Sequence, residues 1–215
     1  LHLGGLGHES LEILGVWLRH MTGLHELGLG RASLQDGRGK PAFPMHFRQS
    51  LRCLTSLERL DLASCDMGAE AMKALSPSLQ RLKGVRELYL ADNDLRAEGA
   101  EALGPALLHL NNVQILDLSG NRLGPGAVGG RALGDALRGL WNLQKLLLSK
   151  NVLGNAGVEA LGPSLQLLTA LRTLDLSSNG IWQAGGRALG ASLMNLTGLR
   201  ELDLSTNVLR ELGGE

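Results

Sequence analysis

The feature that most constrains this chain is an internal repeat. A pattern of the form apolar-x-x-Leu-x-Leu-x-x-(Asn/Cys)-x-apolar recurs along it, with one degenerate copy near the start. The first residues of the copies lie at positions 24, 57, 85, 113, 143, 171 and 199, so most steps are 28 residues, with one of 30 and one of 33. A register held over this length indicates a solenoid, in which similar units stack and each contacts only its neighbours.

Each copy predicts a short strand followed by a helix. The Leu-x-Leu alternation turns two leucines to one side and the residue between them to the other, as in a strand with one buried face. Apolar residues at helical spacing follow, and they predict helices over residues 69–82, 97–110, 128–140, 156–168 and 184–196. Leucine supplies 51 of the 215 residues, whereas aromatic residues make up only 3% of the chain. We therefore expect the same packing of leucine side chains in the core of every repeat.

Two kinds of residue recur within the repeat at fixed positions. The asparagine after each strand can bond backbone groups where the strand turns away, which predicts a ladder of such bonds along the stack. Cys65 stands at this position in one copy, and we interpret it as a buried structural residue. Pro77, Pro105 and Pro163 share a second position, where the missing amide donor predicts a late helix start or a kink.

The LxxLxLxxNxL pattern, as at residues 143–153, resembles the leucine-rich repeat family. A step near 28 residues with a full helix resembles its ribonuclease-inhibitor-like class. The resemblance implies an α/β fold: a right-handed horseshoe solenoid with parallel strands on the concave face and helices on the convex face. We expect residues 1–215 to form a single leucine-rich repeat domain that is a piece of a longer solenoid. Neither end resembles a polar cap, which leaves self-association through uncapped ends open.

The two longer steps predict irregular segments. An insertion at residues 37–47 contains both phenylalanines of the chain, Phe43 and Phe47. It is either an irregular N-terminal repeat whose phenylalanines plug the core or a protruding recognition loop. The 30-residue step adds two residues near positions 126–130, which we expect to form a slack loop.

Alternation places the non-leucine strand residues on the concave face. We therefore predict a partner-binding surface there, with Trp182 added from a loop beyond a strand: the candidate residues are Asp61, Tyr89, Asp117, Ile115, Leu147, Lys145, Asp175, Asp203 and Trp182. The aspartates either keep the surface soluble or meet a basic partner, with Tyr89 and Leu147 as anchors. Trp182 is either a contact residue or part of the loop packing. Carboxylates one strand apart would raise each other's pKa by repulsion.

Charge and motifs argue against several functions. The chain has 21 Lys and Arg against 21 Asp and Glu, which disfavours nucleic acid and anionic membranes as partners. Its apolar runs fall well short of the roughly 20 residues of a membrane span. We find no phosphate-binding loop, no zinc-ligand spacing and no catalytic triad. We therefore predict a non-enzymatic protein without cofactor or metal, which binds a protein partner. Two cysteines fit a reducing compartment, hence a cytoplasmic location.

Within its class, the chain resembles most the C-terminal leucine-rich repeat region of NOD-like receptors. That resemblance implies ligand sensing or autoinhibition in innate immunity. The alternatives are a GTPase-activating protein of the Ran-activator type and a general scaffold or inhibitor. A repeated, curved surface serves protein–protein interaction in each of these readings, since its exposed residues can vary without disturbing the core.

Overall fold

The computed structural model describes residues 1–32, 43–124 and 126–209. Helices and strands alternate along this part of the chain. Their order is α1 (His8–Leu18), β1 (Glu26–Gly28), α2 (Met45–Leu51), β2 (Arg59–Asp61), α3 (Gly68–Leu79), β3 (Glu87–Tyr89), α4 (Arg96–Leu107), β4 (Ile115–Asp117), α5 (Ala127–Leu137), β5 (Lys145–Leu147), α6 (Gly154–Leu165), β6 (Thr173–Asp175), α7 (Gln183–Leu193) and β7 (Glu201–Asp203).

The strands form one open parallel sheet in chain order, β1 to β7. Each strand pairs with the next at the same position of the repeat, so Leu60 lies beside Leu88 and Leu88 beside Leu116. His2 forms a parallel bridge to Gly28, and the amide of Leu3 donates to the carbonyl of Gly28 at 2.7 Å. The solenoid predicted from the repeat is confirmed, with strands on the concave face and helices on the convex face.

A continuous leucine core runs between the sheet and the helices. The central leucine of each strand from β1 to β6 is buried, as are the leucines that follow the strands and line the helices. Phe47 is fully buried, and its ring centroid lies 5.2 Å from that of Phe43. This confirms that the phenylalanines plug the core at the N-terminal repeat. Residues 37–42 of the insertion lie outside the described residues, so the recognition-loop alternative stays open.

The asparagine ladder is present, and Asn121 shows one rung of it. Its Oδ1 accepts the amide of Asn93 at 3.0 Å, and its Nδ2 donates to the carbonyls of Leu90 and Leu118, both at 2.9 Å. The same pattern recurs from coil to coil at Asn93, Asn151, Asn179 and Asn207.

Cys65 occupies one rung of this ladder, as predicted. Its amide donates to Oδ1 of Asn93 at 2.9 Å, and its thiol lies 3.3 Å from the carbonyl of Leu29. The side chain is fully buried. The thiol therefore fills the place of an asparagine side chain between two coils.

The helices begin one or two residues before the predicted starts and end three residues earlier than predicted. The apolar pattern misled the C-terminal bounds because it continues into the following turn. Leu82, for example, is buried like the apolar residues of α3. Its amide, however, donates a hydrogen bond to the carbonyl of Leu79, three residues earlier, in a tight turn beyond the helix.

The late helix start predicted at the shared proline position is wrong. Pro77, Pro105 and Pro163 each lie inside the last turn of a helix, eight or more residues after its first residue. The carbonyl that loses its donor belongs to an exposed residue four positions earlier, which is Lys73, Glu101 or Glu159. Water can satisfy that carbonyl, so proline costs little at this point.

The slack loop expected near positions 126–130 is shorter than predicted, because residues 127–130 already belong to α5. α5 begins six residues after Asn121, whereas α4 and α6 begin three residues after Asn93 and Asn151, so the added residues precede the helix.

Gly129 and Gly130 lie inside α5 and are buried. A Cβ atom on Gly130 would stand 2.0 Å from the carbonyl oxygen of Gly157 in α6, and one on Gly129 would stand 1.6 Å from that of Leu123. Gly130 therefore lets α5 pack closely against α6 of the next coil, and Gly129 lets α5 pack against the segment that leads into it.

Candidate functional site

The concave face is formed by the residues on either side of the buried central leucine of each strand. In β2 to β6 both of these residues keep part of their surface exposed. We define the central column as the third residue of each strand: Gly28, Asp61, Tyr89, Asp117, Leu147, Asp175 and Asp203. We define the flanking column as the first: Glu26, Arg59, Glu87, Ile115, Lys145, Thr173 and Glu201.

These two columns are strongly acidic, although the whole chain is neutral. Seven of their residues are Asp or Glu, and two, Arg59 and Lys145, are basic. The alternation of the strands therefore concentrates negative charge on one side of the sheet. Such a surface favours a basic partner over an acidic one.

The aspartates of the central column are held by the backbone of their own turns. Oδ1 of Asp61 accepts the amide of Ala63 at 3.0 Å, and the same bond to the residue two positions later recurs in three other turns. The amide of Ser119 donates to Asp117 at 2.9 Å, and the amides of Ser177 and Ser205 donate to Asp175 and Asp203 at 2.8 Å. The aspartates thus close the ends of the strands and have fixed orientations, a role that the sequence reading did not include.

The expected rise in pKa by mutual repulsion is wrong for Asp203. The backbone amide and the hydroxyl of Ser205 both bond its carboxylate and lower its pKa, because they stabilise the charged form. Asp175 and Asp203 are neighbours in the column, but elsewhere Tyr89 and Leu147 separate one aspartate from the next.

Tyr89 is held by two residues of the flanking column. The guanidinium carbon of Arg59 lies 4.5 Å from the centroid of its ring, and Nη1 of Arg59 donates to its Oη at 3.2 Å. The Tyr89 hydroxyl donates to Oε2 of Glu87 at 3.0 Å, and Arg59 forms an ion pair with the same oxygen. These contacts fix the ring over the concave face.

The same cluster shifts two ionisation equilibria. Burial raises the pKa of Tyr89, and the hydrogen bond to Glu87 raises it further. Burial alone would lower the pKa of Arg59, but Tyr89 and Glu87 outweigh it and the net shift is upward. The sequence reading missed this cluster. Its signal was present, since Arg59 and Glu87 occupy the same position of adjacent repeats, where opposite charges pair across strands.

Leu147 and Ile115 supply the remaining apolar surface. Leu147 lies between Asp117 and Asp175 in the central column, and Ile115 lies between Glu87 and Lys145 in the flanking column. Beyond Leu147 a shallow depression of about 530 Å³ extends towards β7. It is lined in part by Lys145, Leu147, Asp175 and Asp203. Eight of the nine predicted residues therefore share one face.

Trp182 lies away from this face. It precedes α7, forms a backbone bridge to Val208, and donates its amide to Oδ1 of Asn155 at 2.8 Å. Its side chain is 44% exposed. The structure does not join it to the concave columns, and its role as a contact residue stays a prediction.

Within residues 1–32, 43–124 and 126–209, no group of three or more His, Cys, Asp or Glu side chains could hold a metal ion. None of the helices described there is long and apolar enough to cross a membrane.

Comparison with protein families identifies the family of the chain. A family profile described as Leucine Rich repeat matches residues 53–76, 85–104, 109–134, 142–162 and 168–190, which together make up more than half of the chain. The chain belongs to the leucine-rich repeat family. Domains of this family generally serve as protein-interaction modules.

Comparisons with individual proteins add less. Among solved structures, actin-binding site 2 of leiomodin-1 is similar with a TM-score of 0.48 and 17% sequence identity, over 66% of this chain and 78% of that one. No curated protein sequence matches the chain.

Proposed function

We propose that this leucine-rich repeat chain is a non-catalytic module that binds a protein partner through its concave face. The observation that carries the proposal is that the side chains of this face are fixed in the free protein. Backbone amides hold the aspartates, and Arg59 and Glu87 hold Tyr89. A surface ordered in advance loses less conformational entropy on binding, so more of its contact energy appears as affinity.

The experiment compares two double variants of the chain. Tyr89→Ala with Leu147→Ala removes the apolar anchors of the concave face. Trp141→Ala with Leu167→Ala is the matched control, because these residues are exposed by 60% and 55% and lie outside both columns. Proteins captured by proximity labelling in cells are then quantified for each variant and for the wild type.

We expect at least one captured partner to be lost with the concave variant and retained with the control. Anchors of this type contribute about 2 kcal/mol or more to an interface, roughly a thirtyfold change in affinity. Circular dichroism must show that both variants are folded. Equal capture by both variants would contradict binding through the concave face.

At a finer level, we propose that the chain is the leucine-rich repeat region of a cytoplasmic NOD-like receptor that senses a ligand or restrains the receptor. The LxxLxLxxNxL pattern and the 28-residue step with a full helix support this proposal. In that case the parent gene encodes a nucleotide-binding module with a phosphate-binding loop before this segment. Stimulated GTP hydrolysis by a small GTPase in the presence of the purified chain would instead favour a Ran-type activator.

A further inference from the structure

Over the five strands β2 to β6, the central column alternates between charged and apolar side chains; Gly28 and Asp203 at its ends lie outside this pattern. From β2 to β6 its residues are Asp61, Tyr89, Asp117, Leu147 and Asp175. A carboxylate therefore stands on every second strand, with an apolar side chain on the strand between. The flanking column has no such alternation.

The spacing of this pattern favours one backbone conformation in a bound segment. Neighbouring strands are about 4.8 Å apart, so carboxylates on every second strand repeat at about 9.6 Å. A polyproline II helix advances about 3.1 Å per residue and returns to the same side every third residue, after about 9.3 Å. A β-strand repeats its side-chain direction after about 6.7 or 13.4 Å and an α-helix after one or two turns, about 5.4 or 10.8 Å, so the polyproline II repeat lies closest to 9.6 Å.

The carboxylates are free to receive cations. Asp61, Asp117 and Asp175 each use Oδ1 for a backbone amide, and in the described part of the chain Oδ2 of each carries no protein hydrogen bond. One of the two basic residues of the columns, Arg59, already pairs with Glu87. The surface therefore offers regularly spaced negative charge with few competing cations of its own.

We propose that the concave face binds an extended, polyproline-II-like segment of its partner that carries Lys or Arg at every third position. The cations of the segment meet Asp61, Asp117 and Asp175, and its intervening residues pack on Tyr89 and Leu147. Known polyproline II segments dock on aromatic side chains, and Tyr89 keeps part of its surface exposed on this face. This inference rests on the proposed function and specifies the chemistry of the partner.

The test uses the full chain and two labelled peptides of identical composition. One contains four consecutive Arg-Pro-Pro units, and the other has the same four arginines together at one end. At physiological ionic strength, fluorescence polarisation should show the spaced peptide binding at least about fivefold more tightly, because only its arginines can meet all three carboxylates while its prolines contact Tyr89 and Leu147.

Two variants locate the binding site. Asp117→Asn removes the charge and retains the oxygen that accepts the amide of Ser119, so the turn is preserved. Glu159→Gln removes an exposed charge from α6 on the convex face and is the control. We expect Asp117→Asn to lower the affinity for the spaced peptide at least about twofold, and Glu159→Gln to leave that affinity unchanged.

The outcomes separate the two proposals. If both peptides bind with equal affinity, and if Asp117→Asn and Glu159→Gln change that affinity equally, binding depends on net charge alone. This result would overturn the proposed spacing of a basic residue at every third position. Absence of binding by either peptide would also overturn it. Neither result affects binding through the concave face in general, which the alanine double variants test independently.

Discussion

Single residues of the repeat serve the stacking of the coils. Each ladder asparagine bonds backbone groups of its own coil and of the preceding one, so one side chain satisfies several buried polar groups. The aspartates of the central column have a related role, because each accepts an amide at the end of its strand. The strands are only three residues long, and these side chains replace hydrogen bonds that a longer strand would make.

Asn121→Ala should destabilise the chain by about 2–4 kcal/mol. The change leaves the buried amide of Asn93 without its acceptor, at a cost of about 1–3 kcal/mol, and removes one of two donors from the carbonyls of Leu90 and Leu118, which keep the Nδ2 groups of Asn93 and Asn151. Urea unfolding followed by circular dichroism measures the loss. Asn207→Ala is the control, because Asn207 is only partly buried and water can replace its side chain, so we expect less than half the effect. Equal losses would contradict the role of burial.

Cys65 gives a prediction on pH. Burial raises the pKa of its thiol from 9.0 to about 11, whereas the unfolded chain keeps the ordinary value. The folded state therefore holds the proton more tightly, and this contribution is fully present below pH 9 and lost as the pH rises to about 11. Over that window the wild type should lose about 2–3 kcal/mol more stability than Cys65→Ser.

The measurement for Cys65 is urea unfolding of both proteins at several alkaline pH values. The Cys65→Ser variant keeps a small polar group near the carbonyl of Leu29 and shares all other titrating residues with the wild type. A difference between the two proteins that stays constant from about pH 8 to about pH 11 would show that the thiol does not titrate with a raised pKa.

At the scale of elements, the helices differ in how closely they approach each other. α5 carries glycines at positions 129, 130 and 134, and a side chain at any of them would meet atoms of a neighbouring segment. The proline-containing helices α3, α4 and α6 carry their proline in the last turn and retain a full helix before it. Small residues and prolines therefore adjust the packing of the convex face without interrupting the repeat.

Gly130→Ala should destabilise the chain by about 3 kcal/mol, because the new methyl group would lie 2.0 Å from the carbonyl oxygen of Gly157 and the two helices would have to separate. Gly190→Ala in α7 is the matched control, since a Cβ atom there has no neighbour within 4 Å. Alanine is the better helix former, so the control should be neutral or more stable by up to about 1 kcal/mol. Thermal unfolding of both variants compares them, and equal shifts would exclude close helix packing as the cause.

At the scale of the whole molecule, the coil of β7 in the 215-residue polypeptide should be less stable than the coil of β4. The central residue of β4, Leu116, is fully buried, whereas its counterpart in β7, Leu202, is 43% exposed. In a solenoid each coil is stabilised only by its neighbours, so a coil with an exposed face opens more readily.

Hydrogen exchange measured by mass spectrometry should detect this difference. We expect the amides of residues 201–203 to exchange at least about tenfold faster than those of residues 115–117, because local opening requires less free energy there. Uniform protection along the chain would indicate a single cooperative unit. A compound that binds the concave face should slow exchange at the strands more than at the helices.

The sequence alone determined the number of coils, the register of the sheet and the direction of the strand side chains. The direction of the side chains follows from the period of two within each strand. The number of coils and the register follow from the repeat of about 28 residues along the chain. Only the tertiary structure revealed the cluster of Arg59, Glu87 and Tyr89, the close contact of Gly130 with Gly157, and the true ends of the helices. Each of these depends on distances between atoms of different coils or on where a turn tightens, and such distances are set by stacking rather than by the pattern within one repeat.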